Sequence, residues 1–134
     1  MRLAANGKLF VLSTITANAF LNTSDRNAKS LFENVNARSI LAKVAALPIS
    51  KWVYRSDDKK DWHIGPMAQD FRKAFGLGQD DKTIATVDAA GIALAAIQGL
   101  HQRVNEKDAK IGKLERANEA MKRQLAAIMR KLGM

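Results

Sequence analysis

The sequence has no cysteine, two prolines, and aromatic residues at 6% of its 134 positions. Without thiols there are no disulfides and no thiolate chemistry, and the composition fits a reducing cytoplasm. No apolar run approaches the roughly 18 residues of a membrane span. The start of the chain, where Asn6, Gly7 and Lys8 interrupt the apolar residues between Leu3 and Leu12, is too broken for a signal peptide. The two histidines, His63 and His101, lie far apart, so no metal site is expected. Gly76-Leu77-Gly78 lacks the following Gly and Lys of a phosphate-cradling loop, so no nucleotide cofactor is expected either. Internal repeats and low-complexity tracts are absent.

Acidic residues are also in short supply, and the formal net charge is +9. Its distribution argues against nucleic acid as the partner. Residues 101–134 hold nine basic and four acidic groups, interleaved around what reads as a helix, which is the usual state of a solvated helical face. Aromatics are scarce there, so no base-stacking platform accompanies the charge.

What the chain does have is a heptad repeat in its last third. With Ile97 as an a position, the a residues are Ile97, Val104, Ile111, Asn118, Leu125 and Leu132, and the d residues are Leu100, Lys107, Leu114, Met121 and Ile128. One helix cannot bury such a seam alone, and no second heptad stretch exists in the chain to pair with it. A parallel homo-oligomer follows, in which each g residue faces the e residue five positions later on its neighbour. This pairs Arg103 with Asp108 and Lys110 with Glu115, with matching signs. Asn118 penalises register slips and leans toward a dimer, while the mixed seam does not decide between dimer and trimer. At 1.5 Å per residue the stretch spans about 54 Å, too long to fold back on the small remainder of the chain.

Upstream, residues 9–21 alternate in a strand pattern with no sheet of their own. A polar, turn-prone segment from Leu21 to Lys29 leads into helical periodicity through Leu31, Val35, Leu41, Val44 and Leu47, broken around Asn34 to Asn36 and ended by Pro48. Residues 49–54 and 62–65 read as a hairpin whose aromatics cover that helix. Pro66 opens a helix carrying Met67, Phe71, Ala74 and Phe75, which Gly76 and Gly78 stop. Residues 83–87 read as a short strand, and Asp88 as the N-cap of the long final helix. The expected fold is α+β: a small helical and β-hairpin head followed by a coiled-coil helix. Residues 1–23, 24–96 and 97–134 form the terminal strand segment, the head and the oligomerisation helix.

Three segments taken together resemble a known family. They are Ser24-Asp25-Arg26-Asn27-Ala28-Lys29, His63-Ile64-Gly65-Pro66-Met67-Ala68-Gln69-Asp70, and Thr86-Val87-Asp88 opening a long helix into heptads. In order and spacing they resemble the intramolecular chaperone auto-processing domain at the C-terminus of phage endosialidases, tailspikes and neck appendages, over about residues 20–125. The resemblance implies a homotrimer that helps an upstream β-rich fibre of the same polypeptide to fold. It then cuts itself off, here at Thr23-Ser24, in the bacterial host cytoplasm during virion assembly. Residues 9–21 would then be the last piece of the fibre, which is left behind a kinetic barrier once the foldase is gone.

The resemblance also implies a Ser24–Lys29 dyad. A serine hydroxyl needs a base near neutral pH, and a lysine can serve if its environment favours the neutral amine. Five residues along a regular helix would set the two side chains about 140° apart, so a bend is required between them. Ser24 either attacks its own preceding carbonyl or acts across the oligomer. Asp25 is expected to orient the turn or Lys29, His63 to polarise or protonate at the site, and Gln69 to support it as a buried polar side chain. Read without the resemblance, Ser24-Asp25 is an ordinary helix cap and His63 a structural histidine. The rival functions are a trimerisation clamp that does not cleave and, more remotely, a basic coiled-coil binder of nucleic acid.

Overall fold

The computed structural model describes residues 2–3, 7–11 and 14–134, with side chains from residue 7 onward. Contacts divide the chain into two units, Met1–Phe32 and Glu33–Met134.

In the first unit β1 (Arg2–Leu3) pairs antiparallel with β2 (Leu9–Phe10), Arg2 opposite Phe10 and Leu3 opposite Leu9. Gly7 adopts φ +78° in the connection, a conformation that costs glycine little. The strand expected over residues 9–21 is thus shorter than its alternation and finds its partner just upstream. Positions 12 and 13 lie outside the described residues, and residues 14–21 form no regular element. A single 3-10 turn (Arg26–Ala28) follows.

In the second unit α1 (Ala37–Ala46) starts after the break at Asn34 to Asn36, so Leu31 and Val35 of the expected helical run lie outside it. Asn36 is the reason: its side chain accepts a hydrogen bond from the Ser39 amide at 3.0 Å and caps the helix. Two short strands, β3 (Ser50–Trp52) and β4 (His63–Gly65), form the predicted hairpin with Trp52 opposite His63. No close backbone approach joins either strand to a helix. Trp52, Tyr54 and His63 of this region meet one another ring to ring.

Helix α2 (Ala68–Phe75) buries Phe71, which packs on Phe75 with ring centroids 4.9 Å apart. It ends where Gly76 turns left-handed at φ +68° and returns its amide to the Arg72 carbonyl at 2.8 Å. The following turn is built on Asp80, whose carboxylate accepts from the Lys82 amide, the Thr83 amide and the Thr83 hydroxyl at 2.9, 2.8 and 2.9 Å. With Thr83 engaged there and no neighbouring strand on offer, residues 83–87 do not form the expected strand.

Helix α3 (Thr86–Lys131) then runs 46 residues without interruption, about 69 Å at 1.5 Å per residue. Ala85, not Asp88, is its N-cap. Asp88 sits inside the first turn, where a carboxylate favours the helix dipole.

The packing of α1 on α3 organises this unit. On α3, Ile92, Gly99 and Glu106 recur every seven residues at c positions, off the a/d seam. Gly99 is buried, and a β-carbon there would overlap the Ala37 carbonyl, lying 2.8 Å from its carbon and 3.0 Å from Leu41 Cβ. Only glycine lets the two backbones approach so closely. One heptad further on, Arg38 reaches Glu106 at 2.6 Å. Because α1 occupies this flank, the a and d residues are left uncovered. Ile97, Leu100, Val104, Ile111, Leu114, Met121, Leu125 and Ile128 are all exposed, as is Asn118. Only Phe71 and Ala96 are buried apolar side chains among the described residues, so the chain by itself has little core.

Candidate active site

Ser24, Asp25 and Lys29 are brought together by one local device. Asp25 has extended backbone at φ −64°, ψ 132°, and its carboxylate accepts from the Asn27 amide at 3.0 Å. That bond caps the 3-10 turn, which closes through the Ala28 amide to the Asp25 carbonyl and the Lys29 amide to the Arg26 carbonyl, each at 3.2 Å. Lys29 then resumes extended backbone at φ −122°, ψ 159°. A lone tight turn between two extended residues reverses the chain over six positions, where a continuous helix would have splayed the end residues apart. As a result Lys29 Nζ donates a hydrogen bond to Ser24 Oγ at 2.7 Å. The bend demanded by a Ser24–Lys29 pair is present, and Asp25 builds it. All three residues are exposed in the single chain.

His63 and Gln69 belong to the second unit. The imidazole of His63 stacks on the Trp52 indole, centroids 4.9 Å apart and planes 28° from parallel, and meets Tyr54 edge-on at 5.3 Å. Trp52 and Tyr54 contact each other with centroids 4.8 Å apart, so His63 rests on the Trp52 face and meets the Tyr54 ring edge-on. This pair was not singled out from the sequence. The signal was available: Trp52 and Tyr54 are two apart in the 49–54 stretch that reads as a strand, where alternate residues share a face. Gln69 is not the buried polar side chain expected of it. It lies on the first turn of α2, exposed, because Phe71 and not Gln69 points inward.

Among the described residues no group of histidine and carboxylate side chains could hold a metal ion, and no helix is long and apolar enough to cross a membrane.

Residues 24–76 match the family described as chaperone of endosialidase, a family also classed as a peptidase. Over these residues the chain is similar to that family. The chaperone of endosialidase segment begins at Ser24 and ends at the glycine that caps α2. It contains Ser24, Asp25, Lys29, His63 and Gln69, together with the two aromatics that hold the histidine. It is narrower than the similarity over residues 20–125 anticipated from sequence, and α3 lies beyond it. No curated protein matches the chain.

Proposed function

We infer that this chain is a self-processing assembly chaperone for a phage fibre, cleaving itself at Thr23-Ser24 after α3 has gathered parallel copies, three by the family resemblance. The observation that carries the reading is the 2.7 Å hydrogen bond between Lys29 Nζ and Ser24 Oγ. Two further facts support it: the chaperone of endosialidase match begins at Ser24, the residue that cleavage would make a new N-terminus, and the a/d seam of α3 is exposed along its length.

In this mechanism the Lys29 amine, neutral at that moment, takes the Ser24 hydroxyl proton across the distance it now spans as a donor. Ser24 Oγ attacks the Thr23 carbonyl carbon, its own or that of a neighbouring copy. The Thr23–Ser24 C–N bond breaks, the proton passes to the departing Ser24 nitrogen, and an ester joins Thr23 to the serine oxygen. Water hydrolyses that ester, freeing the Thr23 carboxylate and restoring Ser24. Asp25 is a positioning residue that builds the turn and touches no reacting atom. His63, braced by Trp52 and Tyr54, is the candidate to polarise the carbonyl or protonate the leaving nitrogen. The fibre lies upstream in the same polypeptide, and the work is done in the host cytoplasm during assembly.

The test is intact mass under denaturing conditions for the expressed chain and for Ser24→Ala, incubated identically. Fragments of 23 and 111 residues from the native chain only, dividing the 134 residues at Thr23-Ser24, are the expected result. Two uncut chains, in a polypeptide that carries its upstream fibre, would refute self-processing and leave an assembly clamp. Sedimentation equilibrium tests the association separately, and a monomer at every concentration would refute that part.

A further inference from the structure

The charges along α3 sort into two groups. Glu106, at a c position, is occupied by Arg38 of the same chain, and Glu119 pairs with Lys122 at 2.8 Å. Arg103, Lys107, Asp108, Lys110 and Glu115, which occupy d, e and g positions bordering the seam, make no ion pair among the described residues. For Lys107 and Asp108 this follows from the sequence. Helical neighbours lie three and four residues away. Those of Lys107 are Arg103, Val104, Lys110 and Ile111, with no carboxylate; those of Asp108 are Val104, Asn105, Ile111 and Gly112, with no cation. Neither side chain can be neutralised on its own helix.

Lys107 stands at d, in the middle of a seam of Ile, Leu, Val and Met. A cation driven into such a layer on association is costly unless it is paired. In parallel packing a d side chain enters a hole on the facing helix lined by the equivalent d residue and by the e residue that follows it. For Lys107 that e residue is Asp108 of the neighbouring copy.

We propose that Lys107 of one copy pairs with Asp108 of the next, making this the charged layer that selects a second, parallel, in-register copy of the chain as partner. The proposal rests on the association inferred above. Asp108 has two carboxylate oxygens, one for Lys107 from inside the seam and one for Arg103 at its rim. Sliding one helix by a heptad sets Lys107 against His101 in one direction. In the other direction Lys107 finds Glu115, but Asn118 is then pressed against an apolar a residue. Only the aligned register satisfies Lys107 and Asn118 together, and it does so whether two or three helices associate.

The experiment is a double-mutant cycle on association of the full chain. Dissociation constants come from sedimentation equilibrium at one pH and salt concentration for the native chain, Asp108→Asn, Lys107→Leu and the double variant. Asp108→Asn is expected to weaken association about ten-fold in the native chain and only about two-fold in Lys107→Leu, where the rim contact to Arg103 alone is lost. Lys107→Leu by itself is expected to tighten association, since an apolar side chain then fills the d layer. Circular dichroism should find the helix content of each variant unchanged, because neither side chain makes an ion pair within its own chain among the described residues. Lys107→Met replaces Lys107→Leu if the leucine variant aggregates. An equal loss from Asp108→Asn in both backgrounds, with association otherwise intact, would overturn the Lys107–Asp108 pair alone. A native chain that never associates would overturn the association reading and this pair with it.

Discussion

Replacing Gly99 by alanine should weaken the seating of α1 on α3, although alanine is the better helix former. The added β-carbon would overlap the Ala37 carbonyl oxygen and lie 2.8 Å from the carbonyl carbon. Carbon atoms pack at about 3.5–4.0 Å, so α1 must retreat by roughly 1 Å. A backbone carbonyl cannot swing aside as a side-chain tip can. Overpacking of this kind costs about 1–3 kcal/mol. Against it stands the gain of about 0.5–1 kcal/mol from removing a glycine from a helix interior. Gly91 supplies the control, because it lies in the same helix with open space where its β-carbon would stand. Gly91→Ala should therefore stabilise by that propensity gain, and the difference between the two variants isolates the clash, about 1–3 kcal/mol. Urea unfolding at one fixed protein concentration measures both, the concentration being held because any association would contribute to apparent stability. If Gly99→Ala stabilises as much as Gly91→Ala, the close approach of Ala37 to α3 is wrong, and with it the reason α1 leaves the seam free.

Lys29→Arg should retain a donor to Ser24 yet lose self-cleavage by about a hundred-fold or more, since a guanidinium cannot take the hydroxyl proton; time-resolved intact mass of the released fragment measures it, and near-native cleavage would exclude Lys29 as the base. Asp25→Ala should slow cleavage by unmaking the turn while leaving α3 association unchanged, so cleavage and sedimentation are read on the same sample. Arg38→Met should cost at most about 1 kcal/mol in urea unfolding, because its ion pair with Glu106 is more than half exposed on both sides. The Asp80 carboxyl is held below its ordinary value of 3.8 first by the Lys82 amide, then by the Thr83 hydroxyl and amide. A lowered folded pKa means that the turn's contribution is complete above 3.8 and is lost as pH falls through the folded value. Amide chemical shifts of Lys82 and Thr83 should follow a titration midpoint below 3.8, and a midpoint above it would contradict the three hydrogen bonds.

The long-range character of this protein was legible where a single periodic signal governs many residues. The heptads from Ile97 to Leu132 identify α3, its exposed seam and the charges beside it, because apolar residues spaced by three and four fall on one face of a helix whatever surrounds it. Pro48, Gly76 and the alternation around Trp52 marked the limits of α1 and α2 and the hairpin for equally local reasons. The need for a bend between Ser24 and Lys29 was also legible, since helical geometry alone forbids their meeting. What Asp25 does there was left between two roles, as a carboxylate beside a turn can serve either the backbone or the lysine.

Other features depended on partners that no local pattern names. Residues 83–87 have the β-branched composition of a strand, yet a strand exists only if another is beside it, and the Asp80 turn and the onset of α3 claim those residues first. Gln69 looked buried from its motif, but α2 turns Phe71 inward and leaves Gln69 exposed, a choice made by what packs against the helix. The approach of Ala37 to Gly99, sixty-two positions apart, could not be read at all: a glycine in a helix is compatible with a gap, a kink or a contact. Sequence by itself determined that α3 carries an apolar seam bordered by Lys107 and Asp108, for which its own helix offers neither cover nor an opposite charge. Only the tertiary structure decided which face of α3 the head would take, because close packing of two backbones depends on where both helices lie and not on either alone.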